Sequence, residues 1–324
     1  MKIRFLLLSI SFIYLFISQG CQKELSADTA GNIINNPPAI VDSNYVSKIY
    51  SMYVDNNIPD TVAITTYSYD NLKRVVSAID VAKSLFDFTQ TSRHYFYNNN
   101  DTLPFRSRTV SVYANDQAQT MLHYDTTLTW HFYDNAGRNL RDSIIRSVTD
   151  AFPPTTYYST LELRNYSYAS GKIYGFRTFT GINVPNPSYV PDDQKDTATL
   201  DALGNIVAYK SYRYDPFASQ FRFVINSSFT YDNKQGPFAK LSNFKTYGVF
   251  PNGETFLSEL PQYSNRVTQN EHHSFSPGGG GGVHYDISYT NLYNTNGLVR
   301  EISAYGQPPN PLSYEKLAFA YIHL

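Results

Sequence analysis

The densest group of potential metal ligands in the sequence lies between residues 271 and 286. Three imidazoles, from His272, His273 and His284, accompany the carboxylates of Glu271 and Asp286, and a run of five glycines separates the two halves of the group. Imidazole and carboxylate ligands suit Zn²⁺ or Ni²⁺. However, the spacing follows no metal motif, and glycine adds backbone freedom that opposes a preorganised site. We therefore expect an exposed loop between two strands, without a bound metal or other cofactor.

Nucleophilic catalysis leaves no local signature in this sequence. The chain lacks a Gly-x-Ser-x-Gly turn and a His-Glu-x-x-His pair, and its seven histidines are scattered. A pair of carboxylates of the kind that glycosidases use would come from distant strands, so a hydrolase stays an open alternative. We predict that the protein is not an enzyme, and we assign no catalytic residue.

A three-residue pattern recurs along the chain: Asp, then Ser or Thr, then an apolar residue or Thr. It occurs six times, whereas the composition accounts for about one occurrence. The pattern resembles the O-glycosylation signal that one group of Gram-negative bacteria uses on exported proteins. The resemblance implies sugar acceptors at Thr29, Thr61, Thr102, Thr126, Ser143 and Thr197. The alternative is structural, because Asp favours a turn and Thr favours a strand after it. In both cases, we expect these six Ser or Thr residues to lie on exposed loops or at strand starts.

The N-terminus has the features of an export signal. Lys2 and Arg4 precede an apolar run from residue 5 to residue 17, which is shorter than a bilayer span requires. Cys21, the only cysteine of the chain, directly follows the segment Ile-Ser-Gln-Gly at 17–20. This arrangement resembles the lipobox of bacterial lipoproteins, which implies a signal peptide at residues 1–20 and a diacylglyceryl anchor on Cys21. A lone cysteine in an exported chain also has no intramolecular disulfide to form.

The residues after the cysteine bear on location. Gln22-Lys23-Glu24 resembles the short signal with which one group of Gram-negative bacteria sends lipoproteins to the outside of the outer membrane. The resemblance implies a lipid-anchored outer-membrane protein on the cell surface, with the periplasmic face as the alternative. Residues 21–44 contain no aromatic side chain and no apolar period, so we predict a flexible tether. A segment of this length spans about 25 to 30 Å, enough to lift a folded domain off the lipid headgroups.

The composition excludes one class of partner and favours one fold class. Charged residues make up 16% of the chain and the net charge is −1, so no basic surface is available for a nucleic acid. The chain has 29 Tyr and 21 Phe, together with 17 Gly and 17 Pro. Aromatic residues favour strands, and Gly and Pro favour turns, so we predict an all-β protein.

A recurring turn pattern organises the rest of the chain. The clearest copies are six residues long, for example Tyr-Asp-Asn-Ala-Gly-Arg at 133–138, and they recur about every 32 residues. The clear copies begin at Tyr69, Tyr133, Leu200 and Tyr293, and the looser ones at Tyr97, Tyr168 and Tyr231. Asp or Asn at the first turn position accepts a backbone hydrogen bond, and Gly at the fourth adopts the left-handed conformation of a type I turn with a G1 bulge.

Each copy therefore marks the tip of a hairpin. About seven or eight hairpins give roughly 14 to 16 strands, more than an open twisted sheet holds without curling or closing. We predict one domain over residues 45–324, a large antiparallel up-and-down meander that is strongly curled or closed into a barrel-like sheet. The tyrosines beside the turns are predicted to stabilise the sheet through cross-strand pairs, with a sugar- or peptide-binding face as the alternative.

The turn copies resemble the Tyr-Asp (YD) repeat of RHS-type proteins. With the lipobox and the tether, the pattern over residues 45–324 also resembles a group of outer-membrane-associated lipoproteins of unknown function with a porin-like β-fold. The period is longer than in the YD family, and several Gly and Arg positions differ. The resemblance implies a porin-like β-fold. It transfers no catalytic residue, because the motif residues form turns.

Charged residues bear on whether the strands cross a membrane. Around Glu162, Arg164, Lys210, Arg213 and Arg222 we expect both strand faces to carry polar or charged groups, which argues against a lipid-facing surface. We therefore predict a non-enzymatic, lipid-anchored cell-envelope protein that is a scaffold or a binding surface for a glycan or another envelope protein. Two alternatives stay open: an outer-membrane β-barrel channel or channel partner, and a hydrolase built on carboxylates.

Overall fold

The computed structural model describes residues 44–56, 58–83, 88–114, 122–150, 157–184, 191–237, 239, 264–274, 282–306 and 313–324. Within these ranges no helix is long and apolar enough to cross a membrane. The strands are β1 (Asn44–Asp55), β2 (Ile58–Tyr69), β3 (Val75–Lys83), β4 (Phe88–Phe96), β5 (Arg106–Ala114), β6 (Leu122–Tyr133), β7 (Asn139–Asp150), β8 (Tyr157–Ala169), β9 (Lys172–Asn183), β10 (Gln194–Leu200), β11 (Ile206–Asp215), β12 (Gln220–Gln235), β13 (Ser264–Ser274), β14 (Gly282–Tyr293), β15 (Val299–Gly306) and β16 (Ser313–His323).

All of these strands belong to one antiparallel sheet that closes on itself. Each strand pairs with the next one along the chain, and β16 pairs with β1. The closing register runs from Asn44 opposite His323 to Asp55 opposite Ser313, with a bulge after Val46. The predicted all-β meander is confirmed. The sheet is closed rather than only curled, so every described strand has a partner on both sides.

The turn pattern marks hairpin tips, as predicted. Between β6 and β7, the Gly137 N–H donates to the carbonyl oxygen of Asp134 at 3.0 Å, and the Asp134 N–H donates to that of Arg138 at 2.9 Å. Gly137 has a φ of 74°. The equivalent residues of three other connections also have positive φ, namely Lys73, Gly204 and Gly297. This geometry is that of a type I turn closed by a G1 bulge.

The aspartate of the turn holds its own loop together. Asp134 Oδ1 accepts the N–H groups of Ala136 and Arg138, both at 2.9 Å, and Oδ2 accepts the Arg138 Nε at 2.7 Å. Partial burial raises the pKa of Asp134. The hydrogen bonds and the positive charge of Arg138 outweigh this effect and hold the pKa of Asp134 below its usual value.

One looser copy of the turn pattern departs from the prediction. The copy that begins at Tyr231 lies inside β12, which continues to Gln235, so it is not a hairpin tip. Its Asp232 is held from β14, because Asn291 Nδ2 donates to Asp232 Oδ2 at 3.3 Å and the Tyr293 hydroxyl donates to the same oxygen. The predicted signal peptide and residues 21–43 of the predicted tether lie outside the described residues.

The two faces of the sheet differ in crowding. Paired residues of neighbouring strands share a face, and this relation places the buried side chains of Ile49, Asp142, Asp196, Tyr209 and Phe319 on one face. In a closed barrel the concave inner face is the more crowded one, so we assign this face to the interior.

Apolar side chains of the inner face gather in clusters near the rim that carries the turns. The largest cluster joins the two ends of the chain and comprises Val46, Ile49, Tyr67, Val75, Ala78, Val299, Leu317 and Phe319. A second cluster comprises Tyr166, Ala198, Ile206, Tyr209 and Phe229. The barrel is therefore stabilised by apolar packing near the turns, and charged groups occupy other parts of its inner face.

Tyrosines beside the turns join each hairpin to the one before it. The Tyr168 hydroxyl donates to the backbone oxygen of Asn139 at 2.8 Å, and the Arg138 guanidinium lies 5.0 Å from the centre of the Tyr168 ring. The same hydroxyl-to-backbone bond recurs for Tyr69, Tyr97, Tyr133, Tyr231 and Tyr321. These tyrosines have a structural role, but they fill it through hydroxyl-to-backbone bonds and not through the predicted cross-strand pairs.

Candidate functional site: the polar inner wall

Strand β8 shows how the wall of the barrel separates polar from apolar groups. Glu162, Arg164 and Tyr166 point into the barrel, whereas Leu161 and Leu163 point outward. Glu162 and Arg164 form an ion pair on the inner face. The charges of this pair lie on the inner face only, but the neighbouring Asn165 is polar, exposed and on the outer face, opposite Arg141. Polar groups therefore occupy both faces here, as expected.

Other charged residues on which that expectation rested divide between the faces. Arg213 lies opposite Gln194 on the inner face. Arg222 lies opposite Arg213, and its guanidinium Nε is 2.7 Å from Asp215 Oδ2. Lys210, in contrast, points outward and is exposed. Four of the five charged residues thus lie on the inner face, and only Lys210 lies on the outer face.

Ion pairs run laterally along the inner wall. Arg177 Nε lies 3.1 Å from Asp196 Oδ2, and the Asp196 side chain is 0% exposed. The Tyr209 hydroxyl donates to Asp196 Oδ1 at 2.6 Å. Arg146 lies 2.5 Å from Asp125 on the neighbouring strand. Each charge of these two pairs has a partner beside it on the wall, so neither pair needs a group from the opposite side of the barrel.

Asp142 on β7 is a highly connected carboxylate of the wall. Its Oδ1 accepts the Asn139 Nδ2 at 2.8 Å and lies 2.7 Å from His131 Nδ1, and its Oδ2 accepts the Tyr166 hydroxyl at 2.8 Å. On the far side of the imidazole, His131 Nε2 lies 3.1 Å from Ser107 Oγ. The side chains of His131 and Asp142 are 3% and 5% exposed, so water does not compete for these bonds.

No local motif in the sequence marks this cluster, because its members come from four strands. One part of the cluster, the contact between His131 and Asp142, does follow from a sequence feature. The predicted turn at 134–138 sets the register of its hairpin, and this register places His131 opposite Asp142. Ser107 lies on a strand that a longer connection joins to β6, so its position beside His131 does not follow from a turn.

The Asp-Ser/Thr pattern has a structural basis at three of its six positions. There the Asp points inward and forms the wall contacts described above, as for Asp125, Asp142 and Asp196. The next residue points outward, as for Thr126, Ser143 and Thr197. At these three positions wall pairing accounts for the aspartate of the pattern, and glycosylation of the outward hydroxyls stays a prediction.

The predicted sugar acceptors were expected on loops or at strand starts, but not all of them lie there. Thr126, Ser143 and Thr197 lie inside strands, because their aspartates belong to the inner wall rather than to a turn. Thr102 lies in the connection between β4 and β5, and Thr61 is an exposed residue of β2. Thr29 and the predicted lipidation site Cys21 lie outside the described residues.

The histidines of the candidate metal group lie in strands and not in a loop. His272 on β13 is directly opposite His284 on β14, with ring centres 6.4 Å apart. His272 stacks on Phe223, and His284 Nε2 lies 3.1 Å from Asp286 Oδ1. Residues 275–281 of the expected loop and the side chain of His273 lie outside the described residues. Among the side chains that the structure describes, no three metal-ligating groups come together.

The chain is similar to several solved structures at low sequence identity. The chain is similar to a porin-like protein from Bacteroides vulgatus, with 9% identity and a TM-score of 0.44, over 87% of this chain and 100% of that chain. It is similar to a porin-like protein from Bacteroides uniformis, with 12% identity and a TM-score of 0.32, over 86% and 96%. It is also similar to CdiB from Acinetobacter baumannii, with 8% identity and a TM-score of 0.29, over 86% and 60%. No family model matches the chain, and no curated protein matches it.

Proposed function

We propose that this protein is a β-barrel of the outer membrane whose interior forms a water-filled channel. The observation that supports the proposal is the charged inner wall, on which the Arg177–Asp196 and Arg146–Asp125 pairs face the interior of a closed sheet. A barrel of about sixteen strands is wide enough to enclose water, whereas about eight strands leave room only for side chains. The Arg146 side chain is 51% exposed on this wall. A cation in that position would carry a high desolvation cost in a dry interior, so the interior is expected to be hydrated.

One arc of the outer wall supports lipid contact. Leu128 on β6, Ile145 on β7 and Leu161 on β8 are register partners and form an outward apolar row. Trp130 and Leu163 lie outward on the same strands. β6 and β8 have 12 and 13 residues, and the spanning strands of outer-membrane barrels have a similar length and the same alternation.

Outward charges favour a second function. Arg108 is the register partner of Leu128 on β5, Arg141 points outward from β7, and further charges lie on the opposite arc. Lys210 and Asp286 point outward from β11 and β14, and Lys316 Nζ lies 2.6 Å from Glu301 Oε2 on the outer face of β15 and β16. Charged groups at such positions are costly against lipid. A barrel that is held outside the bilayer by an acylated Cys21 would keep this arc in water, where it would bind a glycan or another envelope protein.

Membrane extraction separates the two functions. The mature chain is exported to the outer membrane with a signal peptide of the unlipidated type and with Cys21→Ala, and the membranes are washed with alkaline carbonate. A spanning barrel stays in the membrane and needs detergent for its release. A tethered barrel, which has lost its anchor, appears in the soluble fraction, and this result would contradict the channel proposal.

Electrical recording tests the channel itself. The purified full chain, added to a planar lipid bilayer, is expected to give discrete conductance steps, because the inner wall is charged and enclosed by a complete sheet. A carbonate-resistant protein that inserts without any conductance would show that the barrel is closed to ions and would contradict the proposal.

A further inference from the structure

We propose that the inner wall also holds a serine-type site that hydrolyses carboxylic esters, formed by Ser107, His131 and Asp142. Ser107 lies on β5, His131 on β6 and Asp142 on β7, which are three adjacent strands of the barrel. The proposal does not depend on ion conduction, because it concerns groups within the wall.

The three side chains are joined in the order that a nucleophile, a general base and an orienting acid require. Ser107 Oγ lies 3.1 Å from His131 Nε2, and His131 Nδ1 lies 2.7 Å from Asp142 Oδ1. Both distances are within hydrogen-bond reach. The carboxylate of Asp142 can only accept a hydrogen bond, so the neutral imidazole carries its proton on Nδ1 and donates it to Asp142. The lone pair of Nε2 then faces the serine hydroxyl.

The acid of the group is itself held in place. The Tyr166 hydroxyl donates to Asp142 Oδ2 at 2.8 Å, and Asn139 Nδ2 donates to Asp142 Oδ1 at 2.8 Å. Both oxygens of the carboxylate therefore have fixed donors, so the carboxylate cannot rotate away from the imidazole. Such support by residues behind the reacting groups is what a working catalytic group requires.

The serine is the accessible end of the group. His131 and Asp142 are buried, whereas Ser107 keeps part of its surface exposed on the inner face. The direct register partners of Ser107 on that face are Tyr95 on β4 and Thr129 on β6. An aromatic ring and a hydroxyl beside the nucleophile suit a small ester with an apolar acyl group. The Thr129 hydroxyl is the donor that we assign to the carbonyl oxygen of that ester, because Thr129 is the register partner of Ser107.

The reaction needs only the ester and water. Ser107 Oγ attacks the carbonyl carbon, and its proton passes to His131 Nε2. As the bond to the alcohol breaks, His131 returns that proton to the departing oxygen, which leaves an acyl group on Ser107. Water then attacks the acyl carbon, His131 takes one proton from it, and the proton returns to Ser107 Oγ as the acid leaves.

Covalent labelling tests the site in the full chain. A fluorophosphonate probe forms a bond between its phosphorus atom and the serine oxygen, with fluoride as the leaving group. We expect one label per chain, mapped to Ser107 by mass spectrometry, and its loss in Ser107→Ala. The matched control is Ser111→Ala, which removes a second inward hydroxyl of β5 that lies 2.9 Å from Thr91 Oγ1, and which should keep the label.

Hydrolysis of p-nitrophenyl butyrate gives an independent readout. The rate should fall about 100-fold or more in Ser107→Ala and in His131→Gln, and should stay unchanged in Ser111→Ala. Circular dichroism shows whether each variant keeps the strand content of the parent protein. The proposal is overturned if the folded parent protein takes up no label, if the label maps to another residue, or if Ser107→Ala hydrolyses the ester at the parent rate.

Discussion

The hydroxyl of Tyr97 lies 2.7 Å from the backbone oxygen of Val75, and this contact ties one hairpin of the barrel to the hairpin before it. The Arg74 guanidinium lies 4.3 Å from the centre of the Tyr97 ring and is paired with Asp70 at 2.6 Å. The acid and base of one turn thus position the aromatic residue that precedes the next turn. The contact between Tyr168 and Asn139 is equivalent. There Arg138, from the turn between β6 and β7, lies against the ring of Tyr168, which precedes the following turn.

Removing the hydroxyl of Tyr97 should weaken the barrel. Tyr97→Phe is expected to lower the free energy of unfolding by about 1 to 2 kcal/mol, because a buried carbonyl oxygen loses a donor. Chemical denaturation, in the medium that keeps the protein folded, measures the change. The control is Tyr174→Phe, at an outward tyrosine that is 40% exposed. Equal effects of the two substitutions would show that the contact with Val75 contributes nothing.

A glycine of the turn pattern is required for its backbone conformation and not for space. Gly297 has a φ of 83°, and an added Cβ would meet no atom within 4 Å. Gly297→Ala is therefore expected to cost about 1 kcal/mol of unfolding free energy through backbone strain alone. The control, Gly306→Ala, places a Cβ in equally open space without a positive φ, and should leave stability almost unchanged. A Gly297→Ala protein as stable as the control would show that the turn does not need a left-handed residue.

The turn aspartate should make stability depend on pH in the acid range. The pKa of Asp134 is lowered in the folded protein, so its contribution is complete above the pKa of the unfolded chain and is lost as the pH falls through the folded value. The difference in unfolding free energy between the parent protein and Asp134→Asn should therefore be largest at neutral pH and shrink below about pH 4. Asp192→Asn, at an exposed acid before β10, serves as the control. A difference that grows on acidification would contradict the assignment.

The ion pairs of the inner wall should differ strongly in their effect on stability. Arg177→Met leaves the fully buried carboxylate of Asp196 without its cation, and is expected to cost about 3 kcal/mol. Arg146→Met removes a cation whose side chain is 51% exposed, so solvent screening should keep the cost below about 1 kcal/mol. Thermal unfolding of the two variants in the same medium provides the comparison. A smaller loss for Arg177→Met than for Arg146→Met would contradict the burial of Asp196.

The local parts of this fold could be predicted from the sequence, because each turn carries its own chemistry. The aspartate and glycine of the segment 133–138 specify a type I turn with a G1 bulge, and that turn sets the register of β6 and β7. The pairing of β16 with β1 could not be predicted in this way. No turn joins these two strands, which are far apart in the sequence.

The direction of charged side chains was the least predictable feature. Glu162 and Arg164 are two residues apart and share a face, but which face is the inner one depends on the closure of the whole sheet. The same limit applies to Ser107, His131 and Asp142. Their contact requires the registers of two neighbouring strand pairs, and the turn pattern specifies only one of them.

Thiol labelling at two adjacent residues of β6 tests the water-filled, membrane-spanning barrel most directly. Thr127 points inward and Leu128 points outward in the same strand. Each is replaced by cysteine in the Cys21→Ala chain, and membranes are treated with a charged methanethiosulfonate reagent that does not cross lipid. We expect rapid modification at position 127 and protection at position 128. Equally rapid modification at both positions would place the outer wall in water and contradict the account.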